Sequence, residues 1–160
     1  MAKVIKVTLG NIGDAIRQVE EYERELKSKV AEFLNRLMQA GVDIASAKIL
    51  ELGAIDRGEL DSSLQYTLYR EGEKGIVFTD CAHACYVEFG TGIKGSESPH
   101  PELPWEYDIN GHGEEGWYYY DTDSGRIRFT KGLPSRPFMY ETARELEKKA
   151  VSIAKEVFAQ

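Results

Sequence analysis

The sequence is short of cysteine: Cys81 and Cys85 are the only two among 160 residues. Two thiols cannot form the disulfide framework of a small secreted scaffold, and a chain of this length can bury a core without one. No apolar run approaches the ~18 residues of a membrane span, and the first residues hold no apolar leader segment. We therefore expect one domain, residues 1–160, made in a reducing cytosol and without a membrane partner.

Positive charge is also scarce, because 20 lysines and arginines face 27 aspartates and glutamates, for a formal net charge of -7. A protein that grips nucleic acid needs a basic face to neutralise phosphates. Attraction to an anionic membrane surface needs basic residues as well. The charge balance therefore argues against direct, sequence-specific nucleic-acid binding and against a membrane-surface role.

Apolar residues in the first third of the chain recur at helical spacing. Asn11 is the expected cap of this long helix, Gly41 its expected end, and a short second helix is expected at Val42–Leu52. A last helix is expected from Phe138 or Met139 to Phe158, after a proline that suits a helix start. The apolar residues at helical spacing in the first helix are Ile12, Ile16, Val19, Leu26, Val30, Phe33, Leu34, Leu37 and Met38.

Between these helices the apolar period changes to two, which is typical of strands. Leu64–Tyr69 and Ile76–Thr79 are predicted to form a hairpin, with Ala84–Phe89 as a third strand. Val4–Leu9 is a further candidate strand. The order of elements predicts an α+β fold in which a long N-terminal helix and a C-terminal helix pack on a small antiparallel sheet.

The segment Ile93–Leu133, called the excursion below, is rich in glycine, proline, histidine and aromatic residues. Trp117–Tyr120 and Arg126–Thr130 flank a run of turn-forming residues, which predicts a second hairpin inside an inserted loop. We expect Gly92 and Gly132 to be flexible joints at its ends. Its aromatics are equally consistent with a protein interface and with a local core. The candidate interface residues are Trp105, Trp117, Tyr118, Tyr119 and Tyr120.

Cys81, His83 and Cys85 alternate along the chain and are the obvious candidates for chemistry. A zinc site usually needs a fourth ligand and Cys-x-x-Cys spacing; the spacing is absent here, and a fourth ligand would have to come from His100 or His112 in the excursion. A cysteine nucleophile needs contact with its histidine and a third group to orient that histidine. On a strand such contact would be strained, so we interpret these residues as packing residues and expect no enzymatic activity, cofactor or metal.

Three segments resemble a known family. Asp56–Leu64 resembles its Asp-x-Gly-x-Leu segment, Ala84–Gly92 its Tyr-x-Glu-Phe-Gly-Thr segment, and Pro134–Met139 its closing Pro-x-Arg-Pro-Phe segment. We call these the first, second and third family-like segments. The family is the minor structural proteins of siphophages and prophages, known as tail-completion or head–tail joining proteins. The matching residues are Asp56, Gly58, Leu60, Tyr86, Glu88, Phe89, Gly90, Thr91, Arg136, Pro137 and Phe138.

This resemblance implies a virion protein that acts through geometry. It implies a ring of copies at the virion neck, assembled in the bacterial cytoplasm and contacting the head connector and the tail tube or its terminator. DNA would pass through the lumen of such a ring. The rival hypothesis is a small ligand-binding module or cysteine hydrolase that uses the excursion together with Cys81 and His83.

One charged pair is also expected from these segments. Glu88 lies among aromatic residues, where a lone carboxylate would be costly to bury. Arg136 lies in the third family-like segment, and an ion pair between the two would fix the sheet to the start of the last helix. The alternative is that both side chains are exposed to solvent.

Overall fold

The computed structural model describes residues 10, 12–54, 58–105 and 115–159, and it confirms the predicted α+β class. The candidate strand Val4–Leu9, the expected cap Asn11 and the motif residue Asp56 lie outside the described residues. The helices are α1 (Ile12–Glu51), α2 (Glu59–Ser62), α3 (Ala84–Phe89), α4 (Gly92–Glu97) and α5 (Phe138–Phe158). The strands are β1 (Leu64–Tyr69), β2 (Lys74–Thr79), β3 (Trp117–Asp121) and β4 (Arg126–Thr130).

The strands form two separate antiparallel hairpins. In the first, Leu64 of β1 lies opposite Thr79 of β2, and a short 3-10 turn at Arg70–Gly72 connects the strands. In the second, Trp117 of β3 lies opposite Thr130 of β4, as the sequence predicted for the excursion. The first hairpin packs against α1 and belongs to the body of the protein.

Helix α1 is a single helix of 40 residues, so the prediction that it ends at Gly41 was wrong. At ~1.5 Å per residue it is roughly 60 Å long. Gly41 is buried, and a Cβ atom there would lie 2.8 Å from Cγ2 of Val77 and 3.3 Å from Cδ2 of Leu146. The glycine therefore permits close approach to β2 and α5 and does not form a turn.

The core lies where the second half of α1 meets α3, α5 and the first hairpin. Ile49 of α1 and Phe138 of α5 are its fully buried large side chains. Burying side chains of this size contributes on the order of 2 kcal/mol each. Its members are Ala45, Ile49, Ala54, Leu60, Leu64, Ala84, Val87 and Phe138.

Ala84–Phe89 is a helix, so the prediction of a third strand was wrong. A six-residue run with apolar residues at Val87 and Phe89 fits a strand or a helical turn equally well, and periodicity alone cannot separate them. In α3 the adjacent residues Val87 and Glu88 are both buried while Tyr86 is exposed. The helix therefore directs the Glu88 carboxylate into the protein.

The ends of the excursion are fixed, so the expectation of flexible joints was wrong as well. Thr91 and Leu133 form an antiparallel bridge in which the Thr91 N–H donates to the Leu133 carbonyl at 2.8 Å. Gly132 has a φ of 94°, and a Cβ atom there would overlap the Thr91 carbonyl. Its lack of a side chain allows two backbone segments to touch.

Gly41 provides a test of the continuous helix. Leucine is a much better helix former than glycine, by roughly 1 kcal/mol, so propensity alone predicts that Gly41→Leu stabilises the protein. We expect the opposite, a loss of ~2 kcal/mol or more in the free energy of unfolding, because the side chain would overlap Val77. Denaturant unfolding measures this.

The matched control is Gly13→Leu in the same helix, where a Cβ atom would meet nothing within 4 Å. That change should leave the stability unchanged or raise it by up to ~1 kcal/mol. Equal effects at the two positions would contradict the close packing of α1 on β2 and α5.

Candidate functional site: a buried carboxylate and two exposed apolar faces

Glu88 is only 7% exposed, and its carboxylate lies at the N-terminus of α5. Its Oε2 accepts the N–H of Met139 at 2.8 Å, and its Oε1 accepts the N–H of Tyr140 at 3.0 Å. N–H groups in the first turn of a helix have no partner within the helix, and the helix dipole makes that end partly positive. Glu88 therefore caps α5 from a different helix, satisfying two orphan donors with one negative charge.

The remaining N–H groups of this first turn are also satisfied. The N–H of Phe138 donates to the Arg136 carbonyl at 2.8 Å, and the N–H of Glu141 donates to the Pro137 carbonyl at 2.9 Å. Pro137 itself has no N–H, and its φ of -77° and ψ of 65° are those of an inverse γ-turn. The proline thus bends the chain sharply into α5 without leaving a donor unpaired.

The second and third family-like segments are in direct contact around this carboxylate. The N–H of Arg136 donates to the Val87 carbonyl at 2.8 Å, and the Ser135 hydroxyl donates to the Glu88 carbonyl at 2.6 Å. A Cβ atom on Gly90, whose φ is 78°, would lie 2.6 Å from the Ser135 nitrogen. Residues far apart in sequence therefore form one junction in which backbone and side chain are both fixed.

His100 completes the junction and is 6% exposed. Its Nδ1 accepts the N–H groups of Glu102 at 3.2 Å and Leu103 at 3.0 Å, so the ring proton lies on Nε2. That Nε2 donates to Oε1 of Glu88 at 3.3 Å. From the sequence, His100 was expected only as a possible metal ligand. The need of a buried carboxylate for further donors is the signal that points to its actual role.

The expected ion pair between Glu88 and Arg136 was wrong. These two described residues form no ion pair, and the Glu88 oxygens are occupied by His100 and by the first turn of α5. Arg136 contributes its backbone N–H and carbonyl instead. Neutral donors that are already fixed in place can satisfy a buried carboxylate without the desolvation of a second charge.

Aromatic rings cover the same junction. The rings of Phe89 and Trp105 are stacked with centroids 4.5 Å apart and an interplanar angle of 8°. The His100 ring lies 4.9 Å from Phe89 and 5.3 Å, edge-on, from Tyr140. Trp105, one of the predicted interface residues, therefore packs on the junction, although 39% of its surface remains exposed. The start of the excursion is part of the body of the protein.

The second hairpin presents one face to solvent. The β3–β4 register places Tyr118 beside Phe129 and Tyr120 beside Ile127 on the same side. These four side chains, the outward face, are between 48 and 73% exposed. Trp117 lies on the other side of β3 and packs against Gly92. The predicted interface residues of β3 therefore lie on both sides of the strand. The register adds Ile127 and Phe129 to those on the outward face.

The turn of this hairpin is closed by Asp121. Its Oδ2 accepts the Ser124 hydroxyl at 2.7 Å and its Oδ1 accepts the Asp123 N–H at 3.2 Å. Arg128 on the opposite strand lies 2.9 Å from the same Oδ2. The Ser124 hydrogen bond, helped by Asp123 and Arg128, holds the pKa of Asp121 below its usual value. These contacts fix the register on which the outward face depends.

The first half of α1 carries a second exposed apolar surface. Side chains from residue 12 to residue 28 are exposed, except that of Ala15. The apolar members at helical spacing, called the apolar stripe below, are between 41 and 55% exposed. The sequence predicted the helical period but not the exposure of these side chains, because an apolar stripe at this spacing usually faces a core. The stripe consists of Ile12, Ile16, Val19, Tyr22 and Leu26.

The structure brings Cys81 and His83 together, contrary to the expectation of a strained strand. Both lie in the turn before α3, with the Cys81 Sγ 3.2 Å from Nδ1 and 3.3 Å from Nε2 of His83. Cys85 is exposed. Within the described ranges no carboxylate hydrogen-bonds the His83 ring, and no group of three or more metal-ligating side chains is present. The described residues therefore place a thiol beside an imidazole, but no side chain orients that imidazole as a nucleophile's base requires.

Comparison with protein-family models, curated proteins and solved structures found no match. Among the helices of the described residues, none is both long and apolar enough to cross a membrane. Function is therefore inferred from the motifs and from the geometry of the junction, the apolar stripe and the outward face.

Glu88→Gln tests the capping contact. An amide has one acceptor oxygen and an NH2 group, so one helix N–H would face a donor and the negative charge would be lost. We expect a loss of ~2 to 4 kcal/mol in the free energy of unfolding, measured by denaturant titration. Glu97→Gln, at an exposed position, should change it by less than ~0.5 kcal/mol. Similar values for both variants would contradict the cap.

A double-mutant cycle tests the partners of Glu88. We expect Glu88→Gln and His100→Ala to be coupled by ~1 kcal/mol or more, because the first removes the charge that strengthens this buried hydrogen bond and the second removes its donor. Glu88→Gln and Arg136→Ala should be additive within ~0.5 kcal/mol, since alanine keeps the backbone contacts that Arg136 makes. Coupling to Arg136 and not to His100 would reverse the assignment made here.

Proposed function

We propose that this protein is a structural component of a tailed-phage virion, a tail-completion or head–tail joining protein that forms a ring at the neck. Its partners would be other copies of itself, the head connector and the tail tube or its terminator. It would be assembled in the bacterial cytoplasm and would catalyse no reaction. The observation that carries this proposal is the contact between the second and third family-like segments around Glu88.

The roles of the motif residues support a structural function. The carboxylate of Glu88 accepts hydrogen bonds from two helix N–H groups and from His100, and the residue is buried. Gly90 permits a close backbone approach, and Thr91 pairs with Leu133. A side chain that binds substrate must instead keep free hydrogen-bonding capacity in an open cleft. These residues fix the relative positions of α3, α5 and the excursion, which a ring component needs.

The two exposed apolar surfaces support a role in assembly. Contiguous apolar patches larger than a few hundred Å² are uncommon on proteins that act alone, and the largest patch on a protein is often a contact site. The outward face carries two tyrosines and a phenylalanine, and aromatic residues are enriched at the centres of protein interfaces. The apolar stripe adds a second such surface on a long, rigid helix. A component that contacts a neighbour on each side needs more than one surface of this kind.

The contact between Cys81 and His83 favours one rival, a small cysteine hydrolase or a ligand-binding module. A thiol within hydrogen-bond distance of an imidazole is the minimum arrangement for a nucleophile. The rival requires these side chains, whereas the structural proposal does not. Their replacement therefore separates the two hypotheses.

Complementation of the phage or prophage that encodes this chain tests the proposal. Deletion of the gene should give DNA-filled heads and separate tails by electron microscopy, and the wild-type gene should restore joined, infectious particles. The variant Cys81→Ala/Cys85→Ala should restore infectivity to within about tenfold, because Cys81 is only partly buried and Cys85 is exposed, so the loss of these small side chains costs at most ~1 to 3 kcal/mol. Normal particles without the gene would contradict the proposal, and a folded double variant that fails to complement would favour the rival.

A further inference from the structure

We propose that neighbouring copies of this chain bind head to tail, with the apolar stripe of one copy packed on the outward face of the next. This inference rests on the proposed function, because a ring is what requires each copy to contact two neighbours. The occupant of each surface is thus a second copy of this chain. The stripe supplies one half of the contact and the hairpin supplies the other.

The areas of the two surfaces match each other and the requirement of a stable contact. Side chains of the size of isoleucine or tyrosine expose roughly 200 Å² when fully open, so five at about half exposure leave roughly 500 Å² on the stripe. The same reasoning gives roughly 600 Å² on the outward face. Their sum is about 1,100 Å², which clears the ~1,000 Å² expected of a specific protein interface.

The spacing of the two surfaces is also compatible. The stripe residues recur at the three- and four-residue steps with which a helix presents a narrow face to one neighbour: Ile12, Ile16, Val19, Tyr22 and Leu26. On the hairpin, the cross-strand pairs Tyr118–Phe129 and Tyr120–Ile127 form two adjacent rungs on one side. A helix laid across two rungs covers a flat apolar patch in the way that helices cover sheets in α+β domains.

The proposed ring favours this pairing over pairing of like surfaces, because a surface that contacts its own copy is used up in a two-fold dimer. A heterologous contact leaves one surface of each kind free at the two ends, and it closes into a ring when the rotation between neighbours permits.

Two blocking variants and their mixture test the inference. Val19→Asp places a charge in the stripe, and Ile127→Asp places one in the outward face. Val151→Asp is the matched control, because Val151 of α5 is 59% exposed and lies on neither surface. The mass of each purified protein is measured by light scattering from about 1 μM, where weak contacts dissociate, to several hundred μM. Circular dichroism and denaturant unfolding verify that each variant is folded.

Wild type and Val151→Asp should assemble beyond two chains at the higher concentrations. Each blocking variant alone should remain at the mass of one chain, 18.0 kDa. Their equimolar mixture should form a species of two chains and no larger one, because it retains one intact stripe and one intact hairpin. If a blocking variant fails to fold, Val19→Ser and Ile127→Ser replace the pair with the same expected pattern.

Three results would overturn the inference: wild type that remains monomeric at every concentration, a blocking variant that assembles as wild type does, or a mixture that stays monomeric. Failure of the contact and failure of the proposed function are distinguishable. If the wild-type protein assembles head to tail but joined particles form without its gene, the contact is supported and the virion role is contradicted. A gene needed for head–tail joining whose product shows none of these contacts would do the reverse.

Discussion

The position of the Glu88 carboxylate is the constraint on which the rest of the structure depends. A buried negative charge is tolerated only where donors replace the lost water, and here they come from the first turn of α5 and from His100. Those donors belong to α5, where Met139 is 51 residues from Glu88, and to the start of the excursion. Satisfying one carboxylate therefore fixes where the last helix begins and how the excursion leaves the body. Phe138, fully buried beside it, adds the apolar contact that holds the helix in that place.

This constraint has a consequence for the exposed surfaces. The start of the excursion is anchored through His100 and Trp105, and its base is fixed by the bridge between Thr91 and Leu133. The hairpin that follows can therefore present its outward face in a defined direction. Likewise, the second half of α1 is held in the core, so its first half extends as a rigid, exposed helix. Assembly by geometry requires surfaces of this kind, positioned by a body that does not deform.

The sequence predicted the elements better than their environments. The first hairpin, the second hairpin and α5 were all predicted, because their periods and turn residues are local signals. The helix α3 was misassigned because six residues carry too little periodicity to separate a helix from a strand. Gly41 was misread as a helix end because its packing against Val77 is a tertiary contact. The Glu88 cap was missed for the same reason: its partners are backbone N–H groups, which no residue type reveals. The register that groups Ile127 with Tyr120 also became visible only in the structure.

Amide hydrogen exchange at Met139 and Tyr140 is the most direct measurement of the central claim, that Glu88 caps α5. First-turn amides ordinarily exchange quickly because no acceptor within the helix protects them. If Glu88 accepts these two N–H groups, both should exchange only as slowly as the core amides near Ile49, through global unfolding. The amides of Gly13 and Asp14, in the first turn of α1, should exchange quickly in the same experiment. Fast exchange at Met139 and Tyr140, like that at the start of α1, would contradict the cap and the account built on it.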